Sequence, residues 1–215
     1  MPYVKVNDIE MFYSEYGQGE PLVLLHGFTG TGQAHWQHQI PAFTPKYRLI
    51  IPDLRGHGKT GRPETVRTGY YKLAIRDIAD LIVALGANPA HIGGFSLGAV
   101  LALALTLDHP ELVKSLILVA AAGKIMGERK KGLFAFWERV GNVETIDPTW
   151  KEELINQHGE SNWAVLLQRY TRMAREYFAD DGDFVGDRLG EISCPTLITQ
   201  GRHDRLNPPD LAEEL

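Results

Sequence analysis

A chain of 215 residues that is 44% hydrophobic and 23% charged has ordinary globular composition, long enough for one large domain with a substantial core. Its formal net charge of −5 argues against nucleic acid or an anionic membrane as partner. The opening residues lack the form of a secretory signal, no apolar run reaches the ~18 residues of a membrane span, and the single cysteine, Cys194, excludes an internal disulfide framework. The expected location is the reducing cytoplasm.

Tyr3 to Val6 and Ile9 to Tyr16 are β-rich and flank Asn7-Asp8, a pair suited to a tight hairpin turn. Pro21 to Leu25 is a continuous apolar run that ends at His26-Gly27; a Gly/Thr-rich loop and a helix from about Gln33 to Phe43 follow. Tyr47 to Ile51 is a second such run, ending at Pro52-Asp53. Strands without polar alternation are buried on both faces, as in a sheet with helices on each side. The pattern continues with a helix over Tyr70 to Leu85, a strand over Ala90 to Phe95, a helix over Leu97 to Leu107 and a strand over Leu116 to Ala121. This alternation predicts an α/β fold with a mostly parallel sheet.

From Gly123 to Glu191 the rhythm gives way to helical, aromatic text carrying Phe134, Phe136, Trp137, Trp150, Trp163, Tyr170, Tyr177 and Phe178. It predicts an inserted helical cap, dividing the chain into a core over 1–122, a cap over 123–191 and a core continuation over 192–215. A strand at Pro195 to Thr199 then leads to Gly201-Arg202-His203-Asp204, and a final helix opens at Pro208-Pro209.

Gly94-Phe95-Ser96-Leu97-Gly98 lies between an expected strand and an expected helix, the context that gives the Gly-x-Ser-x-Gly pattern its meaning. The tight turn needs glycine on both sides, exposes the Ser96 hydroxyl, and aims a helix N-terminus at the place where anionic charge would develop. The competing explanation is a glycine-flanked turn serine without chemistry. For acyl transfer the oxyanion donors would be the backbone N–H of Leu97 and that of Phe28, in His26-Gly27-Phe28 at the end of the earlier strand. His26 itself reads as a structural brace of that loop rather than a reacting group.

Leu24-Leu25-His26-Gly27-Phe28, Asp53-Leu54-Arg55-Gly56-His57-Gly58, Gly94-Phe95-Ser96-Leu97-Gly98 and Gly201-Arg202-His203-Asp204 occur in the order of one family. The chain resembles the α/β-hydrolase superfamily, and most nearly bacterial carboxylesterases, enol-lactonases and the menaquinone-pathway synthase type. The resemblance implies that Asp204 is the triad acid that orients a catalytic histidine. Locally, the same aspartate could simply turn the chain before Pro208. Asp53, Arg55 and His57 match a structural loop, with contact between substrate and Arg55 or His57 as the alternative. A serine where related dehalogenases and epoxide hydrolases carry aspartate calls for acyl transfer.

Triad order in this fold is Ser, Asp, His, yet all eight histidines precede Asp204. His203 is adjacent to the acid and would point away from it, and His158, in the cap, would lack a built-in partner. The family's core also continues with a helix, an edge strand and a closing helix. The expectation is therefore a C-terminally truncated fold, a Pro195 strand exposed as an edge through which copies could associate, and impaired activity in this chain.

The function expected from this reading is hydrolysis of a carboxylic ester or lactone, a small-molecule substrate, through an acyl-enzyme on Ser96. Trp137, Trp163 and Tyr170 are the candidate substrate contacts, against the alternative that they only pack cap helices. Two rivals remain: a C–C or C–O lyase of the menaquinone-pathway type, to which Lys130-Lys131 could draw a carboxylate, and a non-catalytic ligand-binding relative. No phosphate loop, dinucleotide fingerprint or metal-spaced cluster is present, so neither cofactor nor metal is expected.

Overall fold

The computed structural model describes residues 3–62, 69–122, 127–179, 185–213 and 215. It begins with β1 (Tyr3–Val6), β2 (Ile9–Tyr16) and β3 (Glu20–Leu25), then two short helices, α1 (Gly32–Trp36) and α2 (Ile40–Phe43). The core continues with β4 (Tyr47–Pro52), α3 (Tyr70–Ala84), β5 (Ala90–Phe95), α4 (Leu97–Asp108) and β6 (Val113–Val119). Helices α5 (Gly127–Gly141), α6 (Pro148–His158) and α7 (Trp163–Ala179) follow, before β7 (Thr196–Thr199) and α8 (Asp210–Glu213).

The strands form one seven-stranded sheet in the order β1-β2-β4-β3-β5-β6-β7. The β1–β2 hairpin turns at Asn7, whose φ is 47°, and joins β4 in antiparallel register; the neighbours from β4 to β7 run parallel. The apolar runs behave as two-sided burial requires: Leu22 to Leu25 and Leu49 to Ile51 are almost fully buried. Helix α4 is buried nearly throughout, and the apolar face of α3 packs beside it. Because adjacent parallel strands end at the same sheet edge, the loops after β3, β4 and β5 converge there.

The fold is the α/β-hydrolase fold, with a mostly parallel sheet, flanking helices and a helical segment between β6 and β7. One expected helix is two. The stretch Gln33 to Phe43 breaks after Trp36, since Pro41 has no N–H to continue the earlier turns and opens α2 instead. Gly123 and the side chains of Arg129, Tyr177 and Phe178 lie outside the described residues. Among the described residues β7 is the last strand of the sheet, with Leu197 56% exposed. Among the described residues no helix is long and apolar enough to cross a membrane.

Candidate active site

Ser96 stands at the junction of β5 and α4 with φ 52° and ψ −115°, a conformation that L residues avoid unless the surroundings impose it. The surroundings do. Its N–H donates to the Val119 carbonyl at 2.8 Å, tying the turn to β6. A Cβ on Gly94 would collide with the Gly98 carbonyl, and one on Gly98 with the Leu25 carbonyl, so α4 leaves the sheet at a closeness only glycine permits. Ser96 is half-buried and faces a cavity of about 290 Å³.

The cavity floor is the sheet edge, with Phe28, Thr29, Phe95, Ser96 and Leu97; its roof is helical, with Leu133, Phe136, Trp137, Trp150 and Tyr170. Leu206 and Asn207 close one side. Neither the N–H of Phe28 nor that of Leu97 has an acceptor among the described residues, leaving both beside Ser96 as unpaired donors.

Trp163 lies elsewhere. It is buried in the core cluster with the Lys151 ammonium 5.1 Å above its ring, and it does not line the cavity; Trp150 does, one turn into α6. Of the three candidate contacts the cavity brings together Trp137 and Tyr170, while α7 presents Trp163 to its packed neighbours rather than to Ser96. Tyr170, further along α7, both lines the cavity and reaches the core.

Asp204 sits in the loop after β7, where its Oδ1 accepts from the N–H groups of Leu206 and Asn207, each at 2.9 Å. The local role foreseen for it is present, as this is a side-chain-capped turn. Asn207 in turn donates from its amide to the Ala120 carbonyl at 3.0 Å, binding the loop to the end of β6. Asp204 thus stands one turn behind the cavity wall that it orders, and its Oδ2 is not engaged by any described residue.

Arg55 faces away from the cavity. Its guanidinium is shared between Asp77, at 2.7 and 2.9 Å, and Asp8 at 2.8 Å. Asp53 accepts from the N–H groups of Gly32 and Lys59, while burial raises its carboxyl above the ordinary range. Lys130 and Lys131 are not among the cavity-lining residues, and among the described residues no lysine or arginine lines the cavity.

The histidines divide sharply. His203 is exposed, and His26, His57 and His158 are buried and bonded to backbone. His35 is the histidine lining the cavity, a residue that composition and periodicity did not single out. Its Nδ1 accepts from the Gly27 N–H at 3.0 Å, so the ring proton resides on Nε2 and His35 offers the cavity a donor, not a base. Burial, and after it the His158 ring, holds its pKa below the usual value.

A family model described as the alpha/beta hydrolase fold matches residues 20–149. A pyrrolizixenacetamide deacetylase of Xenorhabdus hominickii is 28% identical over 232 residues, covering 100% of this chain and 85% of that protein. A 2-hydroxy-6-oxononadienedioate/2-hydroxy-6-oxononatrienedioate hydrolase of Burkholderia vietnamiensis is 30% identical over 230 residues, covering 97% of this chain and 79% of the relative. Among solved structures, a thermophilic esterase from Thermogutta terrifontis superposes with a TM-score of 0.75 at 25% identity, covering 99% of this chain and 84% of that one. With the strained serine at the strand–helix junction and the model match across the core, the chain belongs to the α/β-hydrolase family.

Proposed function

We propose that the protein is a serine hydrolase that cleaves small carboxylic esters or lactones through an acyl-enzyme on Ser96. The observation that carries this reading is the Ser96 backbone, held at φ 52° beside the unpaired N–H groups of Phe28 and Leu97 on the cavity floor. A carbonyl carbon attacked by the Ser96 hydroxyl becomes tetrahedral, and its oxygen takes up negative charge. Two fixed donors stabilise that charge in the transition state more than in the bound ester. The aromatic roof supports an apolar acyl or alkoxy group. We read residues 123–191 as the lid of this site and Asp204 as the acid that would orient the base through Oδ2.

No histidine in the chain is placed as that base. His35 is a donor at the cavity, and the other buried rings face backbone. Turnover by these 215 residues is expected to be low, and a ligand-binding role without turnover is the second reading this observation supports. Hydrolysis of a p-nitrophenyl short-chain ester, with Ser96 intact and with Ser96→Ala, is the test. Mass spectrometry of quenched reactions should find the acyl group on Ser96, which elimination would not leave there. Equal rates for the two chains, with no acyl adduct, would reject the hydrolase reading. Ligand-induced stabilisation without turnover would support the second.

A further inference from the structure

The loop carrying the Phe28 N–H is held by four histidines from four parts of the chain. His35 accepts the Gly27 N–H at 3.0 Å. His26 accepts the Leu54 N–H on Nε2 at 2.8 Å, which places its proton on Nδ1, and Nδ1 lies 2.7 Å from the Gly27 carbonyl. In its Nε2–H tautomer His57 donates to the Phe28 carbonyl at 2.7 Å, leaving Nδ1 unprotonated 3.1 Å from the Arg55 carbonyl. His158, at the end of α6, accepts the Gly58 N–H on Nδ1 at 3.1 Å, so its Nε2 proton is directed at the Thr29 carbonyl, 2.9 Å away.

Each bond fixes one backbone group of Gly27-Phe28-Thr29, and the peptide geometry gives the set a direction. The Gly27 carbonyl and the Phe28 N–H share a planar trans peptide and point opposite ways. Drawing that carbonyl toward His26 turns the Phe28 N–H away from it. The bonds to the Phe28 and Thr29 carbonyls stop the next two peptides from rotating and undoing this.

We propose that His35 and His158 are positioning residues for the oxyanion loop, and that His158 makes the loop's geometry depend on how the helical lid is seated. The inference rests on the reading of the Phe28 N–H as an oxyanion donor. His158 is the member on the lid, and it bonds the loops after β3 and β4 together. Around its ring stand the His57 ring, 5.8 Å away centre to centre, and Arg62, whose guanidinium donates to the His158 carbonyl at 2.8 Å. With Nδ1 accepting from Gly58 and Nε2 donating to Thr29, the ring meets the loop as a neutral donor and acceptor.

The test separates positioning from mere lid docking by giving back one bond at a time. In His158→Gln the side-chain amide can extend to the Thr29 carbonyl, whereas in His158→Asn the shorter side chain can replace only the acceptor for Gly58. Two-dimensional NMR should first find His26 protonated on Nδ1, and His35 and His158 protonated on Nε2. The Phe28 and Thr29 amide resonances should then move in His158→Asn and His35→Phe, and stay near their native positions in His158→Gln. A His109→Ala control, on the surface, should leave them in place. In the ester assay the Ser96-dependent kcat should fall about tenfold in His158→Asn with KM within about twofold, since a displaced donor forfeits part of the 10²–10³ that one donor supplies. His158→Gln should recover most of it. Inverted tautomers, or Phe28 amide shifts no larger than those of the control, would overturn the inference. If the chain shows no Ser96-dependent rate, the hydrolase reading fails, while the NMR comparison still decides the role of the histidines.

Discussion

Lowering the pH from 7 to 5 should destabilise the fold through histidines that are buried neutral. His57 shows the size of the effect. Burial, with the neighbouring His158 ring second, pushes its pKa from 6.5 to about 3, although the Phe28, Arg55 and Leu54 backbone bonds act the other way. The Tyr170 hydroxyl and the His26 ring, 4.8 Å centre to centre, complete its surroundings. Between these two pKa values the unfolded chain binds a proton that the folded chain refuses. Stability is therefore full above the unfolded value of 6.5, declines as pH falls, and levels off as pH passes the folded value near 3. At about 1.4 kcal/mol per pH unit, His57 alone contributes a loss of roughly 2 kcal/mol by pH 5. His26, His35 and His158 are lowered by burial and add in the same direction. Asp53 and Asp77, raised by burial, oppose them. Urea unfolding at pH 7, 6 and 5 measures the sum, and a His57→Asn chain isolates the one ring, since its decline should be shallower. The same unfolding free energy at pH 7 and pH 5, or identical declines in the two chains, would refute the reasoning.

Gly98→Ala should misfold or lose at least about 3 kcal/mol, because its methyl meets the Leu25 backbone, which has no free rotamer; a thermal melt reads this directly. Arg55→Met should cost about 3–5 kcal/mol, by leaving the buried Asp77 carboxylate without its cation, and the added Asp77→Leu change should recover much of the loss in the same melt. Trp137→Ala opens the cavity roof, and ester KM values should then shift in favour of bulkier acyl groups by about tenfold.

The parts of the fold legible in the sequence were those set by local chemistry. Leu22 to Leu25 and Leu49 to Ile51 read as two-sided strands because burial on both faces removes the polar alternation that would hide them. Gly94 to Gly98 announced the turn because close backbone approach admits few residue types there. The break after Trp36 was carried only by Pro41, in a stretch whose apolar spacing otherwise continues. The cavity wall was harder still. Trp150 and Trp163 are alike as letters, and which one meets the cavity is decided by the packing of α6 and α7, not by periodicity. His35 left no signal, since its partner is a backbone N–H, and any residue except proline could supply one.

The His158 contact also bears on engineering by exchange of the helical segment between β6 and β7. That segment is joined to the loops after β3 and β4 by bonds from its own side chains to their backbone: His158 to Gly58 and Thr29, and the Asn162 amide to the Gly56 carbonyl at 3.2 Å. A chimera that took 123–191 from a relative lacking both residues would strand those groups beneath the graft. Each stranded group would cost about 1–3 kcal/mol. Grafts should therefore be chosen for a matching donor and acceptor at these two positions before their match to any substrate is considered.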